Sequence, residues 1–110
     1  MSIENWSDNV ILVNLARQPE TADELIDVAE LAQRKGSCDV VIDCSGVDVL
    51  TAYSRSRLIA LRRSLHSLGH QLILCNPTGT TRKSLATAGL GDTLVAGDKF
   101  FALTSVQMAN

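Results

Sequence analysis

A chain of 110 residues with 45% apolar content can build one continuous core and is short for two. It has no uncharged apolar run of about eighteen residues, and Met1 to Asp8 carries neither a basic start nor an apolar h-region, so membrane insertion and secretion lack support and the cytoplasm is the expected address. The net charge of −2 conceals an asymmetry, because residues 1 to 50 hold ten acids against three bases and residues 51 to 110 hold seven bases against two acids.

Asn9 to Ala16 (NVILVNLA) is a β-branched apolar run between polar flanks, the pattern of a buried strand. Pro19, Glu20, Asp23 and Glu24 then precede apolar Leu25, Val28, Ala29, Leu31 and Ala32. Acids in a first turn and a helical stripe ending at Arg34, Lys35 and Gly36 predict the first helix. Cys38 to Cys44 (CDVVIDC) repeats the strand signal, and its near-continuous apolar centre suits the middle of a mostly parallel sheet. After a loop at Ser45 to Tyr53, Leu58, Leu61, Leu65 and Leu68 recur at helical spacing until Gly69, predicting a second amphipathic helix that starts near Ser54. Gln71 to Cys75 (QLILC) reads as a third buried strand and Asn76 to Thr80 as a turn. Thr81 to Ala88 reads as a short helix stopped by Gly89, and Thr93 to Ala96 as a fourth short strand. Phe100, Phe101 and Leu103 are expected to pin part of the tail to the core. Strands alternating with helices predict one α/β domain over residues 1–110, with helices packed on a parallel or mixed sheet.

Cys38, Cys44 and Cys75 are odd in number and lie in or beside apolar runs, so they are expected to be reduced, buried thiols, and their spacing fits no common zinc pattern. Asp43 and Asp48 flank the turn after the central strand, but no Lys or second acidic cluster completes a phosphoryl-transfer site, which favours solvated capping and turn roles. His66 and His70 have no Ser or Cys beside them that would make a nucleophile pair, and both are expected at the surface. The run Thr78 to Lys83 lacks the glycines of a phosphate-binding loop and reads as a helix cap with a basic face. An enzyme or small-ligand domain is therefore the weakest class.

The informative stretch is DCSGVDVLTAYSRS, Asp43 to Ser56, where a central strand hands over to a helix, the edge of an α/β sheet that ligands and modifications favour. Ser54 has the chemistry of a helix cap. Arg55, Arg57, Arg62 and Arg63 fall within nine residues and can steer an acidic partner surface, and Tyr53 beside them has the composition of an interface hot spot. Nucleic acid is a poorer fit at a pI of about 5.5 with four aromatics, of which only Tyr53 is near the arginines.

The segments VVIDCSGVDVL, LIALRRSLHSLG, HQLILCNP and RKSLATAGLGDTL, in that order and spacing, resemble the STAS domains, the group that includes bacterial anti-sigma factor antagonists and stressosome subunits. The resemblance covers roughly residues 9 to 104. It implies a β-sheet with helices on it, no cofactor, and a protein partner that docks near the start of the second helix: an anti-sigma factor, a serine kinase or a scaffold ATPase. In that family the turn commonly reads Asp-Ser-Ser-Gly, with the first Ser or a Thr phosphorylated. Counted without a gap from Gly46 to Leu58, the family's Asp falls on Thr51, the phosphoacceptor on Ala52, the next Ser on Tyr53 and the Gly on Ser54. An alanine cannot carry phosphate, which leaves Thr51 and Ser54 as the candidate hydroxyls. The expected docking residues are Asp43, Ser45, Thr51, Ala52, Tyr53, Ser54, Arg55 and Arg57. The expected function is a regulatory binding module acting through residues 45 to 63, and the alternative is a constitutive structural STAS subunit of a larger complex such as a transporter ATPase.

Overall fold

A computed structural model describes residues 2–7, 9–15, 21–36, 38–47, 50–93 and 103. Four strands form one sheet in the order β1-β2-β3-β4: β1 Ser2–Ser7, β2 Val10–Asn14, β3 Asp39–Asp43 and β4 Leu72–Cys75. Between and after them come α1 Thr21–Lys35, α2 Ala52–Ser67, α3 Gly79–Thr87 and a 3-10 turn at Gly91–Thr93. β2, β3 and β4 run parallel, with Leu12 opposite Val41 and Val41 opposite Ile73. β1 pairs antiparallel with β2, Ile3 opposite Val13, and the register slips between Asn5 and Ser7. The sheet is therefore mixed.

Period-2 alternation along β2 and β3 sends side chains to two buried faces. Ile11, Val13, Val40, Ile42, Leu72 and Leu74 point to the larger core. There they meet Leu25 and Val28 of α1, Leu58, Leu61 and Leu65 of α2, and Leu85 of α3, so α1, α2 and α3 pack on this face. Val10, Leu12, Val41 and Cys75 point the other way, where Leu103 covers them. Burial on both faces explains why these strands read as continuous apolar runs. Leu103 is fully buried, as expected of the tail, while Phe100 and Phe101 lie outside the described residues. Thr93, expected to open a strand, belongs to the 3-10 turn, and 94–96 also lie outside.

Helix ends follow local chemistry. Arg34 and Lys35 occupy the last turn of α1, where they oppose the helix dipole. α2 and α3 close by one motif. Gly69 adopts φ 79 and donates its N–H to the His66 carbonyl at 3.0 Å, while His70 donates to Leu65 at 2.8 Å. Gly89 adopts φ 81 and donates to Ala86 at 3.2 Å, while Leu90 donates to Leu85 at 2.9 Å. A left-handed residue that returns two N–H groups to the last carbonyls is cheap only for glycine.

Candidate functional site

The turn between β3 and α2 is fixed from three sides. At its start the Asp43 carboxylate accepts the Ser45 N–H at 2.9 Å, and Val47 donates its N–H to the Cys44 carbonyl at 3.0 Å. From β2, the Leu15 carbonyl comes so close to Gly46 that a Cβ there would stand 2.7 Å from its oxygen, so only glycine fits. From α3, the buried Thr81 hydroxyl donates to the Val47 carbonyl at 3.1 Å.

The structure moves the helix cap. α2 begins at Ala52, and its N-cap is Thr51 rather than Ser54: Thr51 is extended at φ −73, ψ 163, and its hydroxyl accepts the Ser54 N–H at 3.1 Å. Ser54 occupies the third helical position, facing inward with no exposed surface, and the Thr51 hydroxyl donates to its Oγ at 3.1 Å. α3 repeats the device with Thr78 as cap and buried Thr81 in the place of Ser54; the cap expected within Thr78 to Lys83 falls on Thr78, and the helix begins at Gly79, inside the expected turn, rather than at Thr81.

The expected docking residues divide by burial. Ser45, Thr51, Ala52 and Tyr53 are exposed, and Arg55 and Arg57 are half-buried. The Arg57 guanidinium lies 5.1 Å from the centroid of the Tyr53 ring, a cation–π contact on a ring that remains 51% exposed. Asp43 and Ser54 are buried, so their work is internal. The solvated role expected of Asp43 is thus corrected, because the end of a central strand lies beneath the turn it caps; Asp48 lies outside the described residues. His66 is exposed, whereas His70, expected at the surface, is half-buried with Nδ1 3.5 Å from the Asp39 carboxylate, which also accepts the Gln71 N–H at 2.8 Å.

The three cysteines are free and buried. Burial pushes the Cys44 thiol up to about 12, with Cys75 and Asp43 adding to the rise, and burial likewise raises Cys38 against the opposing charge of Lys35. A protonated thiol is a poor nucleophile and metal ligand. Among the described residues no group of three His, Cys, Asp or Glu could hold a metal ion, and no helix is long and apolar enough to cross a membrane.

The sequence predicts a basic face for the start of α3, at Thr78 to Lys83, but does not pair that face with α2. Thr80, Lys83, Ser84 and Thr87 share a face at helical spacing and line a cavity with Arg55 of α2, a pairing that the sequence of α3 alone does not signal.

Among the described residues, a parallel three-strand core with one antiparallel edge, α1, α2 and α3 on one face and a polar turn at the head of α2 define an α/β architecture. The STAS domain family model matches residues 7–105, and the chain belongs to that family. Solved structures agree. The anti-sigma factor antagonist SpoIIAA in its unphosphorylated form matches with a TM-score of 0.85 at 14% identity, covering 97% of this chain and 96% of that one. The Bacillus cell fate determinant SpoIIAA in its phosphorylated form matches with a TM-score of 0.78 at 16% identity, covering 96% and 97%. RsbS from Moorella thermoacetica, as a serine-to-glutamate variant, matches with a TM-score of 0.77 at 21% identity, and each chain is covered in full. No curated protein matches the chain.

Proposed function

We propose that this STAS domain is a regulatory docking module of the cytoplasm that acts by binding and not by catalysis. Its partner is an anti-sigma factor or serine kinase, met by the turn and the first half of α2, residues 45–63. The observation that carries the reading is the Tyr53–Arg57 pair at the head of α2. An aromatic ring held half-exposed beneath a guanidinium, next to exposed Ala52 and half-buried Arg55, presents a rigid amphipathic knob with positive charge around it. Such a surface suits a partner with acidic groups around an apolar pocket.

The family's phosphoacceptor position falls on Ala52, exposed at the first position of α2. Of the remaining hydroxyls, Thr51 is exposed but serves as the cap, and Ser54 is enclosed. Of these two candidates, Thr51 is the exposed one. Docking would then be regulated elsewhere than at Ala52, or would be constitutive. The same alanine favours a second reading, a permanent STAS subunit of a larger complex such as a transporter ATPase.

The test is calorimetric titration of the purified protein against the serine kinases and anti-sigma factors encoded in the same genome. Tyr53→Ala and Arg57→Glu should each weaken the interaction at least tenfold. Binding that neither substitution alters would remove this surface from the reading. Salt separates the two forms, since a charge-steered transient complex loosens as salt rises and a permanent apolar one does not.

A further inference from the structure

α2 and α3 leave a groove between them on the outer surface, formed by two adjoining cavities of about 420 and 610 Å³ that share Ala88. On the α2 side, Arg55, Ile59, Arg62, Arg63 and His66 line it, spaced at i, i+4, i+7, i+8 and i+11, which is one helical stripe. On the α3 side the stripe is Thr80, Lys83, Ser84, Thr87 and Ala88. From Arg55 to His66 the helix rises about 16 Å, the reach of about five residues of extended chain.

The lining is basic at its edges and apolar in its middle. Among the described residues no carboxylate pairs with Arg55, Arg63 or Lys83. Arg62 is different: it donates to the Gly89 carbonyl at 3.2 Å and forms an ion pair with Asp92, which ties α2 to the far end of α3 and holds the groove at a fixed width. Ile59 and Ala88 are half-buried between the charges, while the hydroxyls of Ser84 and Thr87 offer further polar contacts. A phosphate alone would fill only one cavity, and the apolar centre would have nothing to meet.

We infer that this groove binds an extended acidic segment of a partner protein, about five residues long, with carboxylates against Arg55, Arg63 and Lys83 and one aliphatic side chain over Ile59 and Ala88. Charge complementarity selects this occupant: three cations flank a narrow apolar floor at a spacing that successive side chains of an extended chain can match. The inference rests on the docking reading for the existence of a protein partner, but it concerns the flank of α2 away from the Tyr53–Arg57 pair, sharing Arg55, Ile59, Arg62 and Arg63 with the 45–63 stretch.

The probe is a blocked peptide of about five residues, glutamates and aspartates around a central leucine, titrated into the isotope-labelled full chain and followed by amide shifts. Saturable shifts confined to residues 55–66 and 80–90 are expected, with affinity falling about tenfold as salt is raised through the physiological range. Arg63→Glu and Lys83→Glu should each weaken binding at least fivefold, and Arg34→Glu, an equal charge change outside the groove, should not. Equal binding of the glutamine and asparagine analogue, shifts outside the two helices, or a response to ATP or to anionic vesicles without one to the peptide would each overturn the inference. No partner enters this titration and the Tyr53 turn is left intact, so a failure here leaves docking at the turn standing, and a failure of the turn variants leaves the groove readable.

Discussion

The hydroxyl of Thr51 accepts the backbone N–H of Ser54 and donates to the Ser54 side chain, both at 3.1 Å, so one oxygen caps α2 and anchors the buried serine of its first turn. The two residues have opposite tolerances. Thr51→Ala should cost about 1 kcal/mol in urea denaturation, the usual loss of an N-cap, and Thr51→Asp should be close to neutral because aspartate caps as well as threonine. Ser54→Asp should cost about 2 kcal/mol or more, because it places a carboxylate where no surface is exposed. A stable Ser54→Asp variant would show that the turn opens readily.

Ala52→Ser places a hydroxyl at the exposed first position of α2 for a few tenths of a kcal/mol in helix propensity. A phosphate at that position faces the free N–H groups of the helix start. With a serine kinase of the proposed partner class and ATP, intact mass should show one more phosphate on the variant than on the parent chain. A variant that stays unmodified would mean that Ala52 does not occupy the acceptor position.

Among the described glycines, Gly46 is the one whose missing side chain makes room for a neighbouring segment's backbone, the Leu15 carbonyl just past β2. Gly46→Ala should cost about 1–3 kcal/mol and shift amide signals of both the turn and the end of β2, because the overlap is with main chain that cannot rotate away. A cost near zero would place the turn farther from β2 than the structure does.

The Cys44 thiol gives a pH signature. Its ordinary value is 9.0, and in the folded protein it is pushed up to about 12, so the native state keeps a proton that the unfolded chain releases. Its contribution is fully present below about pH 9 and is lost as pH climbs from there towards 12. Between pH 8 and 10 that loss is about 1.4 kcal/mol. Urea denaturation at the two pH values should show the parent losing about that much more than Cys44→Ala. Equal losses would mean that Cys44 is not held protonated by the fold.

Much of the architecture is legible in the residues because β2, β3 and β4 are buried on both faces and carry little besides apolar side chains. The predicted strands at 9–16, 38–44 and 71–75 each enclose an observed one, and the helices ending at Gly36, Gly69 and Gly89 stop where predicted. β1 went unread. Its sequence, SIENWS, has no apolar run, and it joins the sheet through main-chain pairing with β2, with Ile3 packed against the core. The cap was misplaced by three residues because Thr51 and Ser54 both carry a suitable hydroxyl, and only the backbone angles show which one precedes the helix. Asp43 was expected in solvent because composition does not reveal that its carboxylate turns back onto Ser45. The sequence singles out the candidate stretch Asp43 to Ser56, while its division into exposed and enclosed residues depends on the inward face of α2.

The sheet order β1-β2-β3-β4 repeats the order of the strands along the chain. Each pairing therefore closes only the connection that immediately precedes it, and no strand waits for a distant one to arrive. The two parallel pairings nevertheless close long crossovers, Asn14 to Asp39 and Asp43 to Leu72, and Leu103 must return to Val10 and Leu12 from the far end of the chain. Loop-closure entropy must be met before those parallel contacts form, so stopped-flow refolding should be slower than that of a helical domain of this length, and sub-millisecond refolding would contradict this order of assembly.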